Sequence, residues 1–283
     1  MLIVKLQGGL GNQLFQYAFG RRLAIIRNEE LFLDTRGLEN NRVIKREYGL
    51  APFAIKAELA PKDLSLKTEY PLGLISKLLV LFAQKVLRIF YIGYEPQLLK
   101  SKAKYFSGFF QSYKYINPIR SELLNEIKLK KELGDKYSDL LREIANTNSV
   151  SLHVRRGDFI SDPKTAAAHQ AYSFDYYTEA IKLISSKLNN PAFFIFSDDI
   201  NWVKENLKIS SSVIFVSAPS TRDFEELILM SKCKHNIIAN SSFSFWGAWL
   251  NQNPDKIVIA PKKWNNVYES EYKDLLPQAW LKI

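Results

Sequence analysis

The 283 residues suffice for one large domain or two ordinary ones, and 47% hydrophobic with 24% charged residues excludes a disordered, collagen-like or coiled-coil chain. The net charge of +10 indicates an anionic partner. The single cysteine, Cys233, excludes an intramolecular disulfide framework and a cysteine-based zinc site, and it suits a reducing, cytoplasmic setting.

The first half of the chain begins with the alternation of strands and helices that is typical of a parallel sheet. A buried strand runs into a glycine-rich turn, and a helix and a second strand follow. The predicted elements of this half are a strand at residues 2–6, a helix at 12–27, strands at 31–33 and 105–110, a helix at 74–92 and helical periodicity over 118–144. Residues 37–70 are polar and predicted to be irregular.

The second half repeats this alternation more clearly. Its predicted strands are at residues 149–154, 192–196, 213–216, 236–239 and 256–260, and its predicted helices are at 175–188, with Ser173 as the cap, 200–207, 221–232 and 243–250. We therefore expect an α/β protein with two Rossmann-like domains, residues 1–148 and 149–283, facing a cleft. Ligands of such sheets bind at the carboxyl ends of the strands, so segments that follow strands are the candidate sites.

The first such segment is the glycine-rich turn Gly8–Gln13, which lies between the first strand and the first helix. Glycines at this point let the backbone approach an anion at the helix N-terminus. A purely structural turn explains the same residues equally well.

The second segment, His153–Asp158, has two adjacent arginines at the end of a buried strand. A buried guanidinium is costly without a partner, and an ion pair with Asp158 would supply one. A bidentate guanidinium fork is also well shaped to hold a diphosphate. We favour diphosphate binding by Arg155 and Arg156, with His153 on the same side of the strand as Arg155.

Two further segments follow strands in the second half. Asp198 and Asp199 could bind a metal, but they lack the Asp-x-Asp spacing of metal-dependent nucleotide-sugar enzymes, and we favour a helix cap at Asp199. The segment Asn240–Gly247 brings three serines to the start of a helix, where hydroxyls and backbone N–H groups can bind an anion. A plain helix cap explains only one of these serines.

Four segments, in order, resemble one known family. They are Gly8–Tyr17 (GGLGNQLFQY), His153–Asp158 (HVRRGD), Ser197–Trp202 (SDDINW) and Lys234–Asn251 (KHNIIANSSFSFWGAWLN). They resemble the bacterial and animal α-1,2-fucosyltransferases of glycosyltransferase family 11. The likeness runs from residue 1 to Trp264, and residues 37–100 are the least similar. Phe245 stands where the family usually has tryptophan.

The resemblance implies a GT-B fold and an inverting enzyme that needs no metal or other cofactor. The donor would be GDP-β-L-fucose, and the sugar would pass to the 2-hydroxyl of an acceptor, which we expect to be a β-galactoside in O-antigen or other surface glycan synthesis. Residues 1–148 would form the acceptor side and residues 149–283 the donor side.

The resemblance also implies which residues bind the donor: Gly11, Asn12, His153, Arg155, Glu226, Ser241, Ser242 and Phe243. Arg155 would bond the β-phosphate with Arg156 assisting it, and Asn12 would close on the diphosphate from the first domain. His153 and Glu226 would contact guanine. A carboxylate can accept hydrogen bonds from the N1–H and N2–H groups of guanine.

Asp158 joins Arg155 and Arg156 as an expected catalytic residue, and it is one candidate for the base that takes the proton of the acceptor hydroxyl. Asp162 and His169 lie in the same loop and are alternatives for this role. Two other functions also stay open. One is a different fucosyltransferase with the His-x-Arg-Arg element, of the α-1,6 or protein O-type, and the other is a non-catalytic nucleotide- or glycan-binding module.

Residues 1–148 hold 24 basic and 15 acidic residues, so most of the net charge lies there. Lys77, Lys85 and Arg88 share one face of the predicted helix at 74–92, and basic residues near an anionic leaflet contribute about 1 kcal/mol each. We expect an oligosaccharide or lipid-linked acceptor and peripheral contact with the inner membrane face, with packing of this helix on the first sheet as the alternative. We expect no nucleic acid partner, because the aromatic residues lie in hydrophobic segments instead of alternating with lysine and arginine.

Overall fold

The computed structural model describes residues 1–39, 46–61, 78, 91–156 and 174–283. The chain divides into two compact units, one formed by residues 1–130 with 271–275 and the other by residues 131–270 with 276–283. Residues 131–148 belong to the second unit, because the helix Ser138–Asn146 packs on the strand Asn148–Val154. The assignment of an acceptor side and a donor side stays a prediction.

The first unit contains a parallel sheet in the order β3-β2-β1-β4. Its strands are β1 (Leu2–Lys5), β2 (Leu31–Asp34), β3 (Glu58–Leu59) and β4 (Tyr105–Phe106), and its described helices are α1 (Leu10–Arg27), α2 (Arg36–Glu39), α3 (Pro96–Lys100), α4 (Tyr113–Ile116) and α5 (Arg120–Glu126). A 3₁₀ turn at Asn117–Ile119 joins the last two helices. The apolar face of α1, with Leu14, Phe15 and Phe19 fully buried, packs against this sheet.

The second unit contains a parallel sheet in the order β10-β9-β8-β5-β6-β7. Its strands are β5 (Asn148–Val154), β6 (Pro191–Ser197), β7 (Ser212–Phe215), β8 (His235–Ile237), β9 (Val258–Ala260) and β10 (Leu281–Lys282). Its described helices are α6 (Ser138–Asn146), α7 (Phe174–Ser185), α8 (Ile200–Asn206), α9 (Asp223–Lys232) and α10 (Ser242–Leu250), and a 3₁₀ turn at Asp135–Tyr137 precedes α6. A further 3₁₀ turn covers Glu269–Tyr272.

The core of the second unit explains why its central strands were easy to predict. Every residue of β6 is buried, as expected for a strand covered on both faces of a parallel sheet. Helices α9 and α10 pack closely because Gly247 has no side chain: a Cβ there would lie 3.0 Å from the Cβ of Met230.

Several predicted boundaries differ from those in the structure. Helix α1 begins at Leu10, because the Gly9 carbonyl already accepts the N–H groups of Asn12 and Gln13. The predicted strand at 105–110 ends at Phe106, and Phe110 adopts a left-handed φ of +53°. The predicted helical region 118–144 breaks into α5 and α6. The short strands β3 and β10 and the helices α3 and α4 were not predicted.

Some predictions concern residues outside the described ranges. These residues are Lys77, Lys85, Arg88, Asp158, Asp162, His169 and Ser173. Of the predicted helix at 74–92, Leu78 is helical, whereas Tyr91 and Ile92 lie outside any helix. The expected membrane contact of this helix stays a prediction. Within the described part of the chain, no helix combines the length and apolar character that crossing a membrane requires.

Candidate functional site

The glycine-rich turn of the first unit lies where the strand order of its sheet reverses, between β1 and β4. Gly8 adopts a φ of +79°, a left-handed conformation that favours glycine, and Gly9 precedes α1 without a side-chain cap. Asn12 accepts a hydrogen bond from the buried Gln111 side chain, with 2.7 Å between Oδ1 and Nε2. Gly11 is buried in the first turn of α1. The turn follows a strand and precedes a helix as the sequence predicted, and its binding of an anion stays a prediction.

The strand order of the second sheet reverses between β5 and β8, and the predicted donor segments follow these two strands. Open parallel sheets bind ligands at such a point, beyond the carboxyl ends of the strands. His153 is the buried residue before the last one of β5, and its ring centroid lies 5.6 Å from that of Phe243 at the start of α10. This contact joins the two segments within one unit.

Each arginine after β5 is paired with an aspartate that follows the neighbouring strand β6. Nη1 of Arg155 lies 2.9 Å from Oδ2 of Asp198, and Nε of Arg156 lies 3.4 Å from Oδ2 of Asp199. Oδ1 of Asp198 also accepts the backbone N–H of Arg156 at 2.9 Å. The sequence analysis considered Asp158 as the ion-pair partner, and that residue lies outside the described ranges.

Arg156 is further held by an aromatic side chain. The central carbon of its guanidinium lies 3.3 Å from the ring centroid of Trp202, which also stacks on Phe174 at 4.8 Å. Asp199 caps α8, and its Oδ1 accepts the backbone N–H of Trp202 at 3.3 Å, so the predicted helix cap is confirmed. The same carboxylate thus fixes the start of α8 and one edge of Arg156.

His153 is neutral in this setting. Burial lowers the pKa of its imidazole to about 4, against the opposing effect of the Asp198 carboxylate. Its Nδ1 has no hydrogen-bond partner among the described residues. A buried nitrogen without a partner is unusual in a folded protein.

Glu226 is half-buried on the first turns of α9. Burial raises the pKa of its carboxyl to about 7, partly offset by a hydrogen bond that the Ser217 hydroxyl donates to it. Ser217 in turn accepts the backbone N–H of Ser197 at 2.9 Å. The charge of Asp198 contributes to the raised pKa of Glu226, so this carboxylate belongs to the same electrostatic cluster as the arginines.

The three serines at the start of α10 have different roles. Ser241 caps the helix, and its hydroxyl oxygen accepts the N–H of Phe243 at 3.3 Å. Ser244 is buried and donates back to carbonyls at 3.2 Å. Ser242 and Phe243 are half-buried at the first positions of the helix. The first turn of α10 contains no acidic residue, so nothing there opposes an anion.

The structure brings His153, Arg155, Arg156, Glu226 and the serine segment together at one end of the second sheet. Three features of this cluster were not predicted from the sequence, namely the pairing of Asp198 with Arg155, the contact of Ser217 with Glu226 and the contact of Trp202 with Arg156. The first of them depends on which strand pairs with β5. Val154 pairs with Ser197 in the ladder, so the residues that follow them, Arg155 and Asp198, are neighbours.

Known proteins resemble the chain in sequence. Residues 3–283 match glycosyl transferase family 11. An α-1,2-colitosyltransferase of Escherichia coli is 34% identical over 291 residues, which cover 100% of this chain and 99% of that protein. The O-antigen biosynthesis glycosyltransferase WbnK of Escherichia coli is 32% identical, covering 92% and 93%. A galactoside 2-α-L-fucosyltransferase of Bos taurus is 27% identical over 154 residues, which cover 51% of this chain and 41% of that protein.

A solved structure also resembles the fold. The crystal structure of fucosyltransferase NodZ from Bradyrhizobium matches with a TM-score of 0.53 at 14% identity, covering 87% of this chain and 91% of that one. The predicted α/β GT-B fold is thereby confirmed. Because the family match and the relative with 34% identity both extend over essentially the whole chain, the chain belongs to glycosyl transferase family 11 and is a glycosyltransferase.

Proposed function

We propose that the enzyme transfers L-fucose from GDP-β-L-fucose to the 2-hydroxyl of a β-galactoside, with inversion and without a metal. The observation that carries this proposal is the position of Arg155 and Arg156, two guanidinium groups beyond β5 where the strand order reverses. GDP leaves with the electron pair of the broken bond, so negative charge grows on the β-phosphate. Guanidinium groups oriented in advance stabilise such charge in the transition state.

In the proposed reaction, the acceptor oxygen attacks the anomeric carbon while the bond from that carbon to the diphosphate oxygen breaks. The acceptor hydroxyl loses its proton to a base, for which Asp158, Asp162 and His169 stay the candidates. Arg155 binds the β-phosphate, and the N-terminus of α10 with Ser241 and Ser242 binds phosphate oxygens. His153 and Glu226 face guanine. The unpartnered Nδ1 of His153 and the half-buried Glu226 carboxyl support this arrangement.

The sugar of the donor is the least constrained part of the proposal. Colitose is L-fucose without its 3-hydroxyl, so the two GDP-sugars would share the nucleotide, the leaving group and the reacting carbon. The relative with 34% identity is a colitosyltransferase, whereas the shorter match is a galactoside fucosyltransferase. The motifs of the second unit are proposed to bind GDP, and none of them is assigned to the 3-hydroxyl of the sugar. GDP-colitose is therefore the second candidate donor.

We propose an oligosaccharide or lipid-linked glycan in O-antigen synthesis as the acceptor, and a cytoplasmic enzyme that contacts the inner membrane face. The O-antigen glycosyltransferase among the relatives supports this setting. Membership in a glycosyltransferase family favours an enzyme over a binding module. An α-1,6 or protein O-fucosyltransferase is the remaining alternative, and the linkage of the product distinguishes it.

The test is an assay of the purified protein with GDP-fucose, GDP-colitose, GDP-mannose and UDP-galactose, each with β-galactosides and lipid-linked oligosaccharides. We expect transfer from GDP-fucose and an α-1,2 linkage in the product by NMR. Transfer from GDP-colitose alone would correct the sugar and keep the GDP site. Transfer from UDP-galactose alone would contradict the proposal.

A further inference from the structure

A tryptophan in the second unit has no role in the reaction as proposed so far. Trp202 lies on α8, outside the segments that follow β5 and β8, yet its ring is in direct contact with the guanidinium of Arg156 at 3.3 Å. An arginine stacked on an aromatic ring is attracted by the electrons of the ring and is restricted in orientation. We infer that Trp202 is a positioning residue for the donor diphosphate and acts through Arg156; this inference rests on the proposed function.

The contacts around Arg156 restrict it from two directions. Trp202 covers one face of the guanidinium, and Asp199 accepts from its Nε at 3.4 Å. The backbone N–H of Arg156 is bound by Asp198 at 2.9 Å. Within the described residues, the two terminal nitrogens Nη1 and Nη2 have no ion pair or hydrogen bond. They form the edge of the guanidinium that suits two oxygens of one phosphate.

Trp202 is itself held in place. Its backbone N–H is bound by Oδ1 of Asp199, and its ring stacks on Phe174 with 16° between the planes. The indole is therefore a fixed surface on which the arginine rests, and the same aspartate contacts both partners. Holding the side chain in advance removes part of the ordering cost that a long, flexible arginine otherwise pays when it binds an anion.

The variants Trp202→Leu and Trp202→Phe separate the aromatic face from the apolar volume. Leucine keeps an apolar side chain but has no ring, whereas phenylalanine keeps a ring for stacking. We expect Trp202→Leu to weaken GDP binding and to lower kcat/KM for the donor by about tenfold, the effect of a cation–π contact that is partly shielded from water. Trp202→Phe should restore most of both. Phe215→Leu is the matched control. It also removes an aromatic ring under a cation, because Nζ of Lys204, on α8 like Trp202, lies 5.3 Å from the centroid of the exposed Phe215 ring.

A double-mutant cycle with Arg156→Ala distinguishes positioning from general packing. If Trp202 acts through Arg156, adding Trp202→Leu to Arg156→Ala changes kcat/KM by less than about twofold. Independent, multiplying effects of the two substitutions would overturn the inference, and so would unchanged GDP affinity in a folded Trp202→Leu protein.

Asp199→Asn provides a second route should Trp202→Leu lower stability. Asparagine caps helices as well as aspartate does but has no charge for Arg156. We expect Asp199→Asn to keep the melting temperature and to lower GDP affinity about threefold, a fraction of what a charge-assisted hydrogen bond contributes. Wild-type GDP affinity in the Asp199→Asn protein would contradict the inference that Asp199 and Trp202 orient Arg156. If the wild-type protein itself did not bind GDP, that result would instead contradict the proposed function.

Discussion

Nη1 of Arg155 lies 2.9 Å from Oδ2 of Asp198, although the two residues are far apart in the chain. The pair forms because β5 and β6 are parallel neighbours, and Val154 and Ser197 end them side by side. Both side chains are about a quarter exposed, so the pair lies at the mouth of the site. Arg155 is consequently held by an anion before any phosphate arrives.

Asp198→Asn tests whether this pair orients Arg155. The substitution removes the charge facing Arg155, while its oxygen can still accept the N–H of Arg156. We expect kcat to fall at least tenfold, because hydrogen bonds to charged groups contribute about 1.5–3 kcal/mol. The loss is expected in kcat, because Arg155 is proposed to act on the charge that develops on the leaving group.

The matched control for this prediction is Asp139→Asn, which breaks the exposed pair of Asp139 with Arg142 in the same unit. Exposed pairs contribute little, so activity and stability should stay at the wild-type level. Wild-type kcat in Asp198→Asn, or weaker GDP binding with kcat unchanged, would show that Asp198 does not orient the catalytic arginine.

Donor binding should depend on pH because of the Glu226 carboxyl. Burial raises the pKa of its carboxyl to about 7, so the carboxylate is lost as the pH falls through 7. Guanine presents N–H donors, which only the carboxylate accepts fully. The KM for GDP-fucose should therefore rise between pH 8 and pH 6.

Glu226→Gln should raise this KM most at pH 8, where the wild-type carboxyl is charged, and abolish its pH dependence, because an unpaired buried group costs about 1–3 kcal/mol. The exposed Glu179→Gln serves as the control and should behave like wild type. The same pH profile in Glu226→Gln would assign the titration to another group.

Ser241 allows structural and functional roles to be separated at one position. Ser241→Ala removes the cap of α10 and should lower the free energy of unfolding by about 0.5–2 kcal/mol. Asparagine and aspartate both restore a cap, but only aspartate adds a negative charge where a phosphate is proposed. We expect the donor KM of Ser241→Asp to exceed that of Ser241→Asn at least tenfold at equal melting temperature. Equal donor KM values for these two variants would show that no phosphate of the donor binds at the N-terminus of α10.

We predict that the reaction needs no metal, because both aspartates that follow β6 already contact other groups. Asp198 is engaged by Arg155, and Asp199 by Arg156 and the start of α8. Activity should survive excess EDTA, measured as GDP release with GDP-fucose and acceptor. Activity that EDTA abolishes and Mg²⁺ or Mn²⁺ restores would move these aspartates into a metal site.

The sequence predicted the second sheet well because its strands are short apolar runs bounded by polar residues. The strands β3 and β10 were missed, since each has two exposed residues and no apolar pattern. The arginines and the serine segment could be identified as residues that follow strands. Their partners could not, because Asp198 becomes a neighbour of Arg155 only through the pairing of β5 with β6. Trp202 belongs to one of the four family-like segments, but its contact with Arg156 is visible only in the structure.

The most direct test of the central claim is the turnover of GDP-fucose by Arg155→Ala and Arg155→Lys beside wild type, with folding checked by circular dichroism. Removing a preorganised donor to the developing charge costs about 2.7–4 kcal/mol, so Arg155→Ala should lose 10²- to 10³-fold in kcat. Arg155→Lys should fail as well, because a point charge cannot replace the planar fork. More than a tenth of wild-type turnover in a folded Arg155→Ala protein would contradict the account.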